Sequence, residues 1–440
     1  MEDAYLITGG QKLTGEVALS GAKNVALKTI IASLMFKNKV ILENIPRIND
    51  VKELIDLVNS LGAKASFVGQ NTVEIESKGL KNNKVDFLYG SKIRVSFMLF
   101  APLLYRFGNC FIPNPGGCRI GARPIDRIVD GMKSLGIVIE YNPKTGYYQA
   151  EMKNKPFGNY SFSKSSHTAT EFLILMALFA KDKVIINNAA NEPEIDNLIT
   201  FLNQAGAKIE KKGNIIIITG VEELRSKKPF RIMSDRNEAI TYATLAICTK
   251  GKIAIKDLKR EQIITFLLKL DQIGGGYEIG NNQITFFYKG PLKAIDIETT
   301  PHPGFMTDWQ PNWAILMTQA TGTSTIHERV FENRFSYVDE LRKLGAEINY
   351  INKTINKPQD FYFFNFDFNK EYRQIIEIVG PKTLHGGVLN IADLRAGATL
   401  VIAALIAKGD SVVNGVSILE RGYENFVKKV ASLGGIIKKI

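Results

Sequence analysis

Two kinds of helical segment alternate along this chain, one apolar on nearly every side and one apolar along a single stripe. The first kind is clearest in KNVALKTIIASLMF (23–36), ATEFLILMALFA (169–180) and RAGATLVIAALIA (395–407), whose lack of a polar face predicts burial all round. In the second kind, after Asn49-Asp50, residues Val51, Leu54, Ile55, Val58 and Leu61 share one stripe, and Gly62 suits a left-handed stop. The same ending recurs at Leu135-Gly136, Ala205-Gly206, Ile273-Gly274, Leu344-Gly345 and Leu433-Gly434. The intervals between these glycines are 74, 70, 68, 71 and 89 residues, so one unit of about seventy residues is expected six times, with an insertion in the last. Runs such as KVIINN (183–188) and NIIIITG (214–220) predict the strands between helices. The predicted unit is apolar helix, strand, loop, amphipathic helix, Gly, strand.

At 440 residues the chain exceeds what one core usually serves, so an α/β protein of two lobes, three units each, is expected. Composition marks no Pro/Ser-rich linker. The candidate crossings are Ser20-Gly21 and the stretch 230–234, with a simple N-terminal/C-terminal split as the alternative. Three cysteines, Cys110, Cys118 and Cys248, make no disulfide framework and no CxxC zinc spacing, which fits a reducing compartment. The acidic start MEDAYLITGG is no signal peptide, and no apolar run approaches about 20 residues, so a cytoplasmic protein without a membrane-spanning helix is expected. The net charge of +12 is spread along the chain without the interleaved aromatics of a nucleic-acid surface. No nucleic-acid partner is expected, and a monomer is favoured.

Charged residues stand at the start of the buried helix in every unit: Lys23-Asn24, Arg94, Lys164, Asp235-Arg236, Asp308 and Arg395. A helix start already presents unpaired N–H groups and the positive end of the dipole, so cations there call for an anion. Singly, each reads equally well as a surface charge at a helix end. Several such starts facing one cleft would trap an anion. The loops before the amphipathic helices add NPGGCRIGARPID (114–126), a Gly-rich stretch carrying Cys118, Arg119 and Arg123, and place Arg334 and Arg421 in two other units. A thiol in such a loop beside arginines is expected to be exposed and reactive, against the commoner fate of an inert buried cysteine.

The stretches SGAKN (20–24), PGGCRIGARP (115–124), EPEI (192–195), TDWQ (307–310), VFENRF (330–335), DLRAGATL (393–400) and RGYE (421–424) resemble, in order and over nearly the whole chain, the UDP-N-acetylglucosamine enolpyruvyl transferases. The resemblance implies a two-lobed inside-out α/β barrel with buried helices inside, sheets outside and the active site between lobes. One lobe would be 22–231, carrying the Cys118 lid. The other would be 1–21 and 232–440, carrying Asp308, Arg334, Arg395 and Arg421. It implies transfer of the enolpyruvyl group of phosphoenolpyruvate to the 3′-hydroxyl of UDP-N-acetylglucosamine with loss of phosphate, in peptidoglycan synthesis, without metal or organic cofactor.

Residue by residue, the resemblance makes Cys118 the acid toward C3 of the enol and Asp308 the base for the 3′-hydroxyl, with Arg395 also catalytic. Lys23, Arg123, Arg334, Arg395 and Arg421 would hold phosphoenolpyruvate, five cations against a trianion. Asn24, Arg94, Arg123, Pro124, Asp126, Lys164, Ser166, Thr168, Asp308 and Val330 would face the UDP-sugar, with 164–168 at its diphosphate. Departures are KSSHTAT (164–170), with His167 and Thr168 where a small residue and Gly are usual, and Lys28 in place of a proline, expected to change only local packing. The sixth unit also carries the aromatic insertion 351–374, to which no role attaches. The alternatives are an enolpyruvyl transferase for another acceptor such as shikimate 3-phosphate, against which PGGC argues, and a non-catalytic UDP-sugar-binding paralogue, for which Cys118 and Asp308 would be superfluous.

Overall fold

The computed structural model describes residues 3–116 and 125–440, an α/β protein with mixed sheets. These residues divide into two compact units, one of 21–116 and 125–233, the other of 3–20 and Ser234–Ile440. In the first unit the helices Lys23–Ser33, Phe100–Phe107 and His167–Ala177 are buried along most of their length, as their continuous apolar sequence dictates. In the second, Arg236–Cys248, Gln310–Thr318 and Leu394–Ile406 pack on one another in pairs, with every residue of the first two buried.

The amphipathic helices are Asn49–Ser60, Asp126–Ser134 and Pro193–Gln204 in the first unit and Ile264–Ile273, Val338–Lys343 and Phe426–Ser432 in the second. Each gives way to a glycine in the left-handed region: Gly62 at φ +100°, Gly136 at +85°, Gly206 at +105°, Gly274 at +80°, Gly345 at +93° and Gly434 at +96°. A side chain is strained there, which is why the repeat is punctuated by glycine and nothing else.

After each of these glycines the chain forms a two-stranded hairpin or its equivalent, where a single strand is predicted. Lys64–Phe67 pairs antiparallel with Thr72–Glu76, and Lys208–Lys212 with Ile215–Thr219. The second strand of each hairpin then pairs antiparallel with the strand that follows the buried helix, Val40–Glu43 and Lys183–Asn187 respectively. The extra strands escape prediction because runs such as KASF and KIEKK bury only alternate or single positions and carry little apolar signal. In the last sheet that second strand is Ala4–Thr8, brought from the far end of the sequence to lie between Asp410–Asn414 and Ile436–Lys439. Thr14–Ala18 runs parallel to Lys252–Lys256 in a neighbouring sheet of the same unit.

Two sequence departures look different in three dimensions. Lys28 is more than a packing change: its ammonium is buried and ion-paired at 2.9 Å with Glu171, itself fully buried. Lysine can stand in a helical core only because a carboxylate meets it. The insertion connects strands Glu347–Tyr350 and Ile375–Gly380 and includes the one-turn helix Pro358–Phe361. Its aromatics stack on one another, Tyr362 on Phe364 at 4.9 Å between centroids and Phe366 on Tyr372 at 4.7 Å. The Arg329 guanidinium sits 3.9 Å over Phe361 and donates to its carbonyl, while Gln374 donates to the carbonyls of Glu328 and Phe331. The insertion therefore braces the segment 328–334.

His327 lies buried against this brace, its Nε2 3.2 Å from the Tyr362 hydroxyl and its ring 5.1 Å from that of Phe361. Burial lowers its pKa to about 4, the Glu298 carboxylate only partly opposing this. The folded chain thus holds a neutral imidazole that the unfolded chain would protonate below about pH 6.5, so stability is complete above that pH and is lost as pH falls toward about 4. The unfolding free energy across this window should fall by up to about 3 kcal/mol for this group, and H327Q should flatten that part of the profile; an unchanged slope in the variant removes His327 as the cause.

Candidate active site

In the second unit the helix starts singled out by charge come together. Asp235 caps helix Arg236–Cys248, accepting from the amides of Asn237 and Glu238; Asp308 lies in the 3₁₀ turn Thr307–Trp309 ahead of Gln310–Thr318; Arg395 is the second residue of Leu394–Ile406, capped by Asp393. Arg395 reaches Asp235 and Asp308, each at 3.7 Å, and Arg334 reaches the other side of Asp308 at 2.6 Å. The cations that sequence placed at helix starts are thus balanced here by the chain's own carboxylates, where an external anion is the expected partner. Both guanidiniums are buried, and among the described residues Nη1 of Arg395 and Nε of Arg334 have no hydrogen-bond partner. Donors left over in a buried cationic pair are what an incoming oxyanion can satisfy.

Burial works against the charge of Arg395, but the Tyr423 hydroxyl and the carboxylates of Asp235 and Asp308 outweigh it and raise its pKa. Burial likewise opposes Arg334, and Asp308, Asp393 and Glu328 outweigh it. Both stay cationic. Arg421 is half-buried just past the short helix Val416–Leu419, two residues before Tyr423, whose ring lies 5.3 Å from the Arg395 guanidinium.

Behind these groups runs a polar seam that sequence reading does not reveal. The Tyr423 hydroxyl meets Thr241 at 2.8 Å, Asn312 donates to Thr241, and Thr399 donates to Asn312, so one residue from each of the three buried helices joins the seam. Glu328 is the second unforeseen residue. Its buried carboxylate accepts from the Thr307 hydroxyl at 2.8 Å and from the amides of Val330 and Phe331, and Thr307 in turn accepts from Arg334. Val330 therefore already spends its amide on Glu328. The only sequence signal for Glu328 is an acidic residue two positions before Val330, too weak to act on.

In the first unit Lys23 opens helix Lys23–Ser33 with Asn24 next to it, and its ammonium pairs at 2.8 Å with Asp50 of helix Asn49–Ser60. Arg94 begins the 3₁₀ segment Arg94–Leu99, with its guanidinium 6.0 Å from the Phe97 ring. Asp126 is the first residue of Asp126–Ser134, and its neighbour Arg127 donates to the Ser165 carbonyl at 3.3 Å, tying that helix to the stretch containing Lys164. Ser166 is the N-cap of His167–Ala177 and Thr168 its second residue. Cys118, Arg123 and Pro124 lie outside the described residues. Cys110 and Cys248 are buried free thiols whose pKa burial raises. No described helix is long and apolar enough to cross a membrane, and the described residues contain no cluster of three His, Cys, Asp or Glu suited to a metal ion.

Glu328→Gln tests how the segment carrying Val330 and Arg334 is held. The amide leaves one acceptor oxygen for three donors, so it should cost about 1–3 kcal/mol of stability, whereas Glu278→Gln on an exposed strand should stay within about 0.5 kcal/mol. Equal denaturation midpoints for the two variants would contradict this account of Glu328.

Comparison with known proteins agrees along the whole length. Residues 7–430 match the family model for EPSP synthase (3-phosphoshikimate 1-carboxyvinyltransferase). The chain is 36% identical to the UDP-N-acetylglucosamine 1-carboxyvinyltransferase of Protochlamydia amoebophila, covering 100% of this chain and 94% of that protein. It is 38% identical to the enzyme of that name from Wolinella succinogenes, covering 99% of each. Among solved structures, the enolpyruvyl transferase NikO from Streptomyces tendae shares the fold with a TM-score of 0.85 at 21% identity, covering 100% of this chain and 99% of that one. An EPSP synthase from Acinetobacter baumannii shares it with a TM-score of 0.72 at 15% identity, covering 99% of each. Matched over residues 7–430 by the family model and at more than a third identity by full-length relatives, the chain belongs to the EPSP synthase (3-phosphoshikimate 1-carboxyvinyltransferase) family and, within it, to the UDP-N-acetylglucosamine 1-carboxyvinyltransferases.

Proposed function

We propose that this chain moves the enolpyruvyl group of phosphoenolpyruvate onto the 3′-hydroxyl of UDP-N-acetylglucosamine and releases inorganic phosphate, a step toward peptidoglycan. The observation that carries the reading is full-length identity of 36% and 38% to enzymes of that name, joined to the Asp308, Arg334 and Arg395 cluster. The chain is a transferase acting as a cytoplasmic monomer, its two lobes 22–231 and 1–21 with 232–440. Each lobe is three units of an inside-out α/β barrel, for which the recurrent strand order of the sheets and the six left-handed glycines are support.

The chemistry is addition followed by elimination. The π pair of the enol takes a proton at C3 from the Cys118 thiol, leaving C2 electron-poor. The sugar 3′-oxygen bonds to C2 as Asp308 takes its proton. Loss of a proton from C3 then restores the double bond while the C2–O bond to phosphate breaks and phosphate leaves with the electron pair. No electron acceptor is required, because the sequence of steps is redox-neutral.

The negative charge must be met throughout. Lys23, Arg123 and Arg421 take the phosphate, and Arg334 and Arg395 the carboxylate, through the donors that remain over beside Asp308. Arg334 holds the Asp308 carboxylate in one orientation, and hence aligned, before substrate arrives. On the sugar side are Asn24, Arg94, Asp126 and Val330, with Pro124 and Arg123 in the lid. Lys164, Ser166 and Thr168 take the diphosphate at the start of helix His167–Ala177, where unpaired amides favour an anion.

Incubating the purified chain with phosphoenolpyruvate and UDP-N-acetylglucosamine should release phosphate and yield a product heavier than the sugar nucleotide by one enolpyruvyl group. Shikimate 3-phosphate in a parallel tube should give none, and the reverse result reassigns the acceptor. Cys118→Ala should lower turnover by at least about 100-fold with UDP-sugar binding kept, as loss of a general acid does. Cys118→Asp should keep turnover but resist alkylation by an epoxide such as fosfomycin; labelling that persists at this position would remove the thiol as the reactive group.

A further inference from the structure

The two departures noted in the sequence, Lys28 and His167, meet in the first unit through a third residue. Glu171, one turn after His167 on helix His167–Ala177, pairs with the Lys28 ammonium at 2.9 Å and with Nε2 of His167 at 3.3 Å. Glu171 is completely buried, and among the described residues neither of its oxygens has a hydrogen-bond partner beyond these ion pairs. Glu192, 5% exposed at the N-cap of helix Pro193–Gln204, is close enough for its charge to act on the same imidazole, and one of its buried oxygens has no hydrogen-bond partner among the described residues. His167 itself is the first residue of its helix and keeps 19% of its side chain exposed.

Charge decides what this cluster does. With a neutral imidazole, Lys28, Glu171 and Glu192 carry a net charge of one negative in a buried place; with an imidazolium they sum to zero. A buried charge left uncompensated is costly, and a dianionic diphosphate at the adjoining loop 164–168 would be repelled by it. Among the described residues, the neighbouring elements bring no further buried cation to this balance and add one buried carboxylate, Glu194. Helix Asp126–Ser134 brings Asp126, Arg127, Asp130 and Lys133, of which Arg127 is spent on the Ser165 carbonyl. From helix Phe100–Phe107 and the segment before it the contact is apolar, Phe97 against Phe172. Glu194 adds a further carboxylate next to Glu192, and Lys183 on the strand behind is exposed.

We propose that His167 is a specificity-determining cation for the nucleotide diphosphate, held as imidazolium by Glu171 and Glu192, and that Lys28 is the positioning residue that keeps Glu171 buried and charged beneath it. The proposal rests on the reading of 164–168 as the diphosphate loop. Burial opposes the charge on His167, but the two carboxylates outweigh it and raise its pKa, which agrees with this arrangement. Nucleotide binding then carries a proton that the usual small residue at this position would not supply. Affinity should weaken as pH rises through the imidazole titration.

The test is calorimetric binding of UDP-N-acetylglucosamine, without phosphoenolpyruvate, to the full chain at one pH below and one pH above the His167 titration midpoint found by NMR on the ligand-free chain. Wild type should bind about tenfold more weakly at the higher pH, the effect of one charge near the ligand. H167Q should bind equally at both, near the weaker value, and H167R should hold the tighter value at both; thermal unfolding checks that each variant is folded. A pH slope that persists in H167Q overturns the role of His167 while leaving the acceptor reading intact. Absence of binding by wild type at either pH overturns both. An NMR titration of the ligand-free chain, with the His167 signal assigned by its loss in H167Q, should give an imidazole pKa above the usual value of about 6.5, and a lower one would contradict the proposal.

Discussion

Everything at the candidate site follows from one constraint: a charge placed inside a hydrophobic helical core must be met by an opposite charge or a full set of hydrogen bonds. Arg395, Arg334 and Lys28 are each buried in such a core, and each is answered by carboxylates of the same unit, namely Asp235 and Asp308, Asp308, and Glu171. Among the described residues the compensation is incomplete at Arg395 and Arg334, where one donor each remains buried and unpaired. That remainder is where a small phosphorylated acid would be bound most strongly, since donors fixed in advance lose little on binding.

Much of this was legible in the sequence, and the legible part has a common origin. Glycines at 62, 136, 206, 274, 345 and 434 all adopt positive φ, so a backbone requirement had written itself into residue type. The wholly apolar helices were equally plain, because no polar face can be hidden in a segment such as 395–407. Helix-start charges were readable too, as a chemical oddity at Lys23, Asp308 and Arg395. Partners were not. That Lys23 meets Asp50, or that Glu328 gathers Thr307, Val330 and Phe331, depends on contacts between segments whose spacing carries no pattern. The hairpin strands were missed for a related reason: a strand that buries only one or two residues, such as Lys208–Lys212, differs little from loop in composition.

The departures from the family pattern gained meaning only as a set. Lys28 alone reads as a defect in a buried helix, and His167 alone as a substitution in a loop, yet Glu171 ion-pairs with both and joins them into one group. The insertion 351–374 likewise had no reading by itself. Its aromatics stack against His327 and Arg329, and Gln374 binds the backbone on both sides of Arg329 and Val330, so its added length supports the segment that carries Arg334. Sequence that departs from a family is here compensated locally rather than tolerated.

In the proposed reaction the buried guanidinium of Arg395 is an oriented anion receptor and not merely a charge that neutralises Asp235 and Asp308. Steady-state kinetics of Arg395→Lys, which keeps the charge but loses the planar fork, separates the two. With phosphoenolpyruvate varied, kcat/KM should fall by about 100-fold or more, the scale of a lost charge-assisted pair, while KM for UDP-N-acetylglucosamine and the unfolding midpoint change little. Unaltered kcat/KM for phosphoenolpyruvate in a folded variant would contradict the claim.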